Sequence, residues 1–238
     1  MHMEVPPAFI GYDSKRDMFA ALIQWFYRDK YFTHVHGGDL LKNQIEDYDM
    51  GKGKKHNLEA VINTSPEGKV RNKWIEHWAK VLTFDAIIGN VDRHHDNWGI
   101  IVLRKPDKNG AYTVIGPSFA FDNGTSMGYE IMENNIYKYN DIGYLNRYVM
   151  RGKHHMKWRL EDSDKAGHID LINKLIKKYP FVKDTCKKCM NFDFNDIHAV
   201  LNSIQSIKTP VSLTQERIDL MLNLLETRYN LIQNVLRD

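Results

Sequence analysis

The sequence predicts an α+β fold that is mostly α, in which one β-hairpin carries polar loops at both of its ends. Three observations lead to this prediction. Short apolar runs lie near the N-terminus, an Asn-Gly turn separates two β-branched runs in the middle, and helical hydrophobic spacing covers most of the rest. The chain has 238 residues, of which 42% are hydrophobic, which is enough for a packed core in one large domain or two small ones.

The N-terminal segment from Glu4 to Tyr27 is expected to form two strands. Residues 8–12 are a short apolar run, residues 13–17 have turn chemistry, and the apolar and aromatic run from Met18 to Tyr27 follows. The turn between the two runs favours a strand over a helix for the second one.

Polar and glycine-containing segments come next. Residues 36–39, HGGD, are expected to interrupt the regular secondary structure, and Asp39 is expected to cap a helix. Residues 47–56 are expected to form a solvated loop. Their Gly51 and Gly53 lack the G-x-x-x-x-G-K-[ST] spacing of a phosphate-binding loop, and no strand leads into them.

Residues 72–89 are expected to form a helix. Trp74 and Trp78 recur at helical spacing and are expected in the core, while Gly89 is a helix-ending residue. A polar loop over residues 90–97 follows. After it, Asn109 and Gly110 separate two apolar runs, which predicts a hairpin with strands at 99–104 and 112–116.

The C-terminal half is expected to be helical. Apolar periodicity predicts helices that end before Pro180 and at Ile204, and residues 184–190 also have helical character. Ser212 and Gln215 form a capping-box pattern in front of a long last helix.

Charge and cysteine content exclude several classes of protein. The formal net charge is only +3, which gives no indication of nucleic-acid binding. Cys186 and Cys189 form a C-x-x-C pair without a second pair of zinc ligands, so two reduced thiols are expected. The sequence shows no membrane-spanning apolar run and no signal-peptide core. We therefore expect a cytoplasmic protein, or a secreted effector without a classical signal peptide.

Three polar residues form a pattern typical of phosphoryl transfer. Asp92 and Asn97 stand at the two ends of a short loop after a helix, and Asp122 lies in a turn after the hairpin. A carboxylate can orient an acceptor hydroxyl and take its proton, while an amide oxygen and a second carboxylate can hold Mg²⁺ against the phosphates of ATP. Turn chemistry could explain each residue alone, but not the ordered set.

The ordered set resembles a known family. Residues 84–99, FDAIIGNVDRHHDNWG, are similar to the catalytic loop of HipA-like serine/threonine kinases, and residues 121–124, FDNG, are similar to their metal-binding turn. Residues 176–180 and the last helix resemble the tail of smaller, CtkA-like members of that family. The resemblance implies the larger, C-terminal lobe of an atypical protein kinase, with the hairpin carrying the metal-binding turn.

This resemblance also implies a role for each matching residue. Asp92 would be the catalytic base, and Asn97 and Asp122 would bind Mg²⁺ and thereby the ATP phosphates. His94 would orient the loop or stabilise charge, and Arg93 would hold the loop in place.

Further polar residues are assigned less central roles. Asp85 and Asn90 would be hydrogen-bonding partners that support the loop. His95 is expected to be a surface histidine. Two histidine pairs are expected to lie on the surface or in loops, because no third ligand completes a metal site with either of them: His34 with His36, and His154 with His155.

The chain departs from a whole kinase of this family in its N-terminal part. Residues 1–32 are interpreted as a remnant of the smaller lobe, and residues 33–238 as the helical lobe. No G-x-G-x-x-G occurs, and neither Lys15 nor Lys30 resembles the strand lysine. The expected partners are therefore a protein substrate and either a separate N-lobe chain or an antitoxin. An exposed apolar edge is expected where the missing part would pack, at Phe9, Phe19, Leu22 and Trp25.

Two other functions remain open. Asp92-Arg93-x-x-Asp96-Asn97 with Asp122 is also similar to type II phosphatidylinositol 4-kinases, and a basic and aromatic membrane-facing patch would favour that function; the candidate is residues 153–159, with Met156 and Trp158. The third candidate is a non-catalytic pseudokinase or binding module.

Overall fold

The structure is a computed structural model that describes residues 3–25, 30–51, 53–105, 107–110, 112–207 and 212–237, without the side chain of Phe19. Its strands and helices, in chain order, are β1 (Ala8–Asp13), β2 (Met18–Ile23), β3 (Phe32–His36), α1 (Gly37–Lys42), α2 (Leu58–Asn63), α3 (Lys69–Ile88), β4 (Gly99–Leu103), β5 (Val114–Pro117), a 3₁₀ helix (Glu133–Asn140), α4 (Ile142–Arg151), α5 (His168–Lys178), a short 3₁₀ helix (Pro180–Val182), α6 (Lys183–Cys189), α7 (Phe194–Gln205) and α8 (Gln215–Arg237). The fold is α+β and mostly helical, as predicted.

The N-terminal hairpin of β1 and β2 forms a separate two-stranded antiparallel sheet. The Asp13 carboxylate accepts hydrogen bonds from the backbone N–H groups of Lys15 and Arg16 at 2.9 and 3.3 Å, which is the turn chemistry that the sequence indicates. The expected second strand is confirmed over Met18–Ile23; the end of the expected run, at Tyr27, lies outside the described residues.

A second sheet has the order β3-β4-β5 and is antiparallel throughout. The β4–β5 hairpin confirms the prediction from the Asn-Gly turn. The first strand, β3, was not predicted from the sequence, and its pairing with β4 runs from Phe32 opposite Leu103 to His36 opposite Gly99. His34 and His36, which were expected on the surface or in a loop, both lie on β3, where His36 is exposed and His34 is partly buried.

The core is built around α3, which packs against α5, α6 and α8. Trp78 is completely buried, and the buried Trp74 donates its indole N–H to the carbonyl of Val61 at 2.9 Å. The helix ends at Gly89, which has the left-handed φ of 70° that glycine adopts without a steric penalty. The predicted core helix and its end are thus confirmed.

The long helix α8 buries two faces rather than one. Leu225 and Ile232 belong to the main core, whereas Leu220 and Leu224 pack into a second cluster with α4 and the first 3₁₀ helix. Consequently α8 connects the main core to the smaller helical layer around α4.

Two capping predictions are wrong. Helix α8 begins at Gln215, two residues later than an N-cap at Ser212 predicts, and Thr214 accepts the N–H of Arg217 at 3.2 Å. Asp39 lies inside the first turn of α1, whose N-cap is His36 without a side-chain cap. A carboxylate at that position still interacts favourably with the positive end of the helix.

The polar segment after α4 is more buried than its sequence indicates. Met156 and Trp158 belong to the main core, with 0% and 6% of their surfaces exposed, so these two side chains are not available for the candidate membrane-facing patch at residues 153–159. Cys186 and Cys189 are buried free thiols on α6. Among the helices of the described residues, none is both long and apolar enough to cross a membrane.

Candidate active site

The loop between α3 and β4 holds the candidate residues and is called the 92–97 loop below. It leaves α3 through Gly89 and Asn90, whose N–H donates to the carbonyl of Asp85 at 2.9 Å. Trp98 closes the loop at its other end and is buried against Trp78, with ring centroids 5.1 Å apart. Both ends of the loop are therefore fixed to the core.

Arg93 and Asp85 form the buried centre of the site. Arg93 donates through Nε to Asp85 Oδ2 at 3.0 Å and through Nη2 to Oδ1 at 2.7 Å, and both side chains are fully buried. His154 Nε2 lies 3.1 Å from Asp85 Oδ2. Burial raises the pKa of Asp85, but the Arg93 charge and the hydrogen bonds from His154 and Arg93 hold the pKa well below its usual range. Asp85 is therefore a carboxylate that fixes the orientation of Arg93.

The same guanidinium joins the 92–97 loop to the turn at residues 121–124, called the 121–124 turn below. Arg93 Nη1 donates to the carbonyls of Asn97 and Phe121 at 3.1 and 2.5 Å, and Nη2 donates to Asn123 Oδ1 at 2.6 Å. A planar guanidinium with five donors suits such a junction. It fixes the positions of the two segments that carry Asp92, Asn97 and Asp122.

Asn90 forms a second connection between the two segments. Its Nδ2 donates to Asp85 Oδ1 at 3.1 Å, while its Oδ1 accepts from the backbone N–H of Asp92 at 3.1 Å and from Thr125 Oγ1 at 2.9 Å. The N–H of Val91 donates to the carbonyl of Thr125 at 3.3 Å. Asn90 therefore sets the position at which Asp92 leaves the core.

Asn97 and Asp122 present oxygen atoms that are suitable for a hard cation. Asn97 is 4% exposed, and its Nδ2 donates to the carbonyl of Asp92 at 2.8 Å; this orients the amide and leaves Oδ1 without a hydrogen-bond donor among the described residues. Asp122 is exposed and has a left-handed φ of 53°. Such backbone conformations are concentrated at functional sites. An amide oxygen and one carboxylate fit Mg²⁺, which takes few protein ligands.

His94 lies at the centre of the 92–97 loop. Its backbone N–H donates to the carbonyl of Asp92 at 2.8 Å, and its Nδ1 accepts from the N–H of Asp96 at 3.2 Å. These contacts lie entirely within the 92–97 loop. Its ring is partly exposed, 5.8 Å from the ring of His95 and 5.9 Å from that of His155.

The expectation that His95 lies on the surface is wrong, since it is buried within the 92–97 loop. His154 lies in a loop, in agreement with the expectation of a surface or loop position, but it is also buried. His95 Nδ1 lies 3.1 Å from the hydroxyl of Tyr48, and Gly53 packs closely against the same ring. His155 is partly buried. No local signal could reveal these positions, because the partner of His154 is 69 residues away.

The junction of β3 and α1 packs against the 92–97 loop. Gly37 N–H donates to the carbonyl of Trp98 at 2.8 Å, and Gly38 N–H donates to the carbonyl of His95 at 3.0 Å. A Cβ atom on Gly37 would lie 2.1 Å from the Trp98 ring, and one on Gly38 would lie 2.7 Å from His95 Cδ2. These glycines are required for the close approach, a function that the sequence reasoning missed.

The N-terminal residues also reach the 121–124 turn. The N–H of Ala120 donates to the carbonyl of Glu4 at 3.0 Å, and the rings of Trp25 and His34 lie 6.3 and 5.5 Å from that of Phe121. The turn therefore lies between the N-terminal hairpin and the 92–97 loop. Within the described residues, no group of three or more His, Cys, Asp or Glu side chains is arranged to hold a metal ion.

No family model matches the chain, and no curated protein matches it in sequence. Comparison with solved structures gives a clear likeness to the crystal structure of a proinflammatory kinase, CtkA, from Helicobacter pylori. The TM-score is 0.73, with 18% sequence identity, over 98% of this chain and 76% of that chain. The chain thus has a CtkA-like kinase fold, as the resemblance implied.

Proposed function

We propose that this chain carries the phosphoryl-transfer lobe of a HipA-like serine/threonine protein kinase that uses ATP and Mg²⁺ and acts as a toxin or effector. The main support is the set of Arg93 hydrogen bonds to Asp85, Phe121 and Asn123. A structural arginine that joins the 92–97 loop to the 121–124 turn is what phosphoryl transfer needs, because its catalysis depends chiefly on positioning and electrostatics.

Each residue has a definite chemical task in this proposal. The Asp92 carboxylate accepts no hydrogen bond from another described residue, so it is available to orient an acceptor hydroxyl and take its proton. Asn97 Oδ1 and the Asp122 carboxylate would hold Mg²⁺, which neutralises phosphate charge when bound. Arg93 and His94 keep these groups in position through the contacts described above.

The groups that hold the ATP phosphates from the opposite side would come from polypeptide packed on β1 and β2. Lys15 and Lys30, the two lysines of the described N-terminal part, are both exposed, and neither lies on a strand. Phe9, Leu22 and Trp25 are also exposed, at 58%, 57% and 46%. This apolar surface is suited to an additional lobe, supplied by the same protein or by a separate chain.

A protein substrate is favoured over a lipid. The residues that would have supported a lipid kinase, Met156 and Trp158, are in the core and cannot contact a membrane. The unpaired oxygens of Asp92 and Asp122 favour a catalytic protein over a binding module. We propose the cytoplasm as its compartment, in agreement with two free cysteines.

The test is calorimetric titration of Mg-ATP into the wild-type chain and two variants. Asp122→Ala should abolish Mg²⁺-dependent binding, because it removes the carboxylate ligand. Asp92→Asn should retain binding but lower phosphoryl transfer about 10²–10⁴-fold in the complete kinase. Asp196→Ala, which removes an exposed carboxylate in the first turn of α7, is the matched control. Equal Mg-ATP binding by wild type and Asp122→Ala would refute the proposed site.

A further inference from the structure

A small basic cavity opens beside the 92–97 loop, between α4 and α8. Its volume is about 310 Å³, and Val91, the residue directly before Asp92, forms part of its wall. The lining includes one carboxylate, that of Glu130, and four cationic side chains: Arg147, Arg151, Lys153 and Arg228. We call it the basic cavity.

Arg228 forms the floor of the basic cavity and is only 4% exposed. Its guanidinium forms no hydrogen bond or ion pair with any other residue that the structure describes. It packs against the end of α3, where a Cβ atom on Gly89 would lie 2.6 Å from Arg228 Cζ. The negative end of a helix attracts a cation, but the guanidinium N–H donors remain without an acceptor among the described residues.

Among the described residues, no carboxylate at the cavity lies within ion-pair distance of Arg228, although the Glu130 charge acts on it from farther away. Glu130 accepts a hydrogen bond from the Tyr148 hydroxyl at 2.6 Å and forms no ion pair with Arg228. Arg147 is exposed above the ring of Tyr144, 5.7 Å from its centroid. Lys153 is 3.9 Å from Asp164, an exposed pair that contributes little. The cavity therefore keeps an excess of positive charge around an unpaired, buried guanidinium.

We propose that the basic cavity binds an acidic side chain of the polypeptide substrate, either a carboxylate or a phosphorylated residue, close to the acceptor serine or threonine. This proposal rests on the proposed function. Val91 and Asp92 are adjacent, and an extended peptide advances roughly 3.3–3.6 Å per residue. A peptide hydroxyl at Asp92 can thus place a side chain a few positions away in the cavity. Arginine pairs well with both carboxylate and phosphate.

The test measures binding of labelled peptides by fluorescence anisotropy, independently of phosphoryl transfer. One short serine-containing peptide has glutamates beside the serine, a second has glutamines, and a third has phosphoserine in place of one glutamate. The wild type should bind both acidic peptides at least about tenfold more tightly than the glutamine peptide, with affinity falling as salt increases. The third peptide distinguishes a phosphate from a carboxylate ligand.

Three substitutions test whether the basic cavity causes the preference for acidic peptides. Arg228→Gln should remove the preference for acidic peptides, and Arg147→Gln should reduce it. Arg237→Gln, which removes an exposed charge at the end of the same helix, should leave it unchanged. Arg228→Gln should lower the thermal midpoint only slightly, because the interaction with the end of α3 is lost but no hydrogen bond or ion pair to a described residue is. A lower midpoint with an intact preference would instead indicate a purely structural arginine and overturn the proposal.

Failure of the two proposals can be distinguished. If the wild type prefers acidic peptides but binds Mg-ATP no more tightly than Asp122→Ala does, the cavity assignment stands and the proposed kinase function fails. If inorganic phosphate binds but acidic peptides bind no better than the glutamine peptide, the assignment to a substrate side chain is wrong. Arg228-dependent binding to vesicles containing phosphatidylinositol 4-phosphate, without peptide discrimination, would likewise overturn it in favour of a lipid.

Discussion

Arg93 and Asp85, eight residues apart in the chain, form a buried two-point ion pair, with N···O distances of 3.0 and 2.7 Å. The pair connects the core helix α3 to both segments of the candidate site, because the remaining donors of Arg93 reach Asn97, Phe121 and Asn123. The guanidinium of Arg93 therefore determines both the position of the candidate site and the stability of the fold.

Arg93→Met should strongly destabilise the protein. The substitution leaves the buried Asp85 carboxylate with only His154 and Asn90 as partners, and removing one member of a buried pair typically costs about 3–5 kcal/mol. Urea unfolding measures the change in the free energy of unfolding. Arg16→Met is the control, since Arg16 is exposed and 3.9 Å from Asp13, and should change stability by less than about 0.5 kcal/mol. Similar small values for both variants would contradict the structural role of Arg93.

Gly37→Ala should disturb the 92–97 loop. The new Cβ atom would lie 2.1 Å from the ring of Trp98, which packs against Trp78 and stacks on His56. Overpacking of this kind typically costs about 1–3 kcal/mol, and the displaced loop should bind Mg-ATP more weakly. Thermal unfolding and calorimetry measure the two effects. Gly116→Ala is the control, because Gly116 lies on β5 with no atom near its Cβ position, and it should change neither stability nor Mg-ATP binding. If Gly37→Ala also changed neither, the close contact between Gly37 and Trp98 would be refuted.

The parts of the fold that the sequence predicts are those determined by local patterns. The β4–β5 hairpin follows from one turn, and α3 follows from its apolar spacing and Gly89. The strand β3 could not be recognised, because its partner β4 lies more than sixty residues away along the chain. The burial of His154 could not be recognised for the same reason: its neighbours in the sequence are polar, but its partner Asp85 lies in the core.

The two cysteines on α6 should be unreactive in the native protein. Cys186 and Cys189 are both fully buried, and burial raises the pKa of Cys189 to about 11, so little thiolate is available. Ellman's reagent at about pH 8 should modify both thiols only after denaturation, since the unperturbed thiol pKa is about 8.5. Fast modification of the folded chain would contradict the burial of α6 against the core.

Stability should fall as the pH is lowered from about 6.5. Burial is the largest cause that lowers the pKa of His56 and His168 well below the usual value, and His56 Nε2 accepts the indole N–H of Trp98 at 3.2 Å. Because the folded-state pKa values are depressed, the unfolded chain takes up protons first as the pH falls. The stabilising contribution of the two neutral histidines is therefore fully present above the pKa that histidine has in the unfolded chain. It is lost as the pH falls below that pKa.

Each of these two histidines should contribute a loss on the order of 1 kcal/mol between about pH 7 and pH 5.5. Urea unfolding at the two pH values measures the loss, and His168→Gln should reduce it. His198→Gln, which changes an exposed histidine on α7, should not reduce it. Equal stability of the wild type at both pH values would mean that the buried histidines are accessible to protons in the folded state, contrary to their burial against α3 and the 92–97 loop.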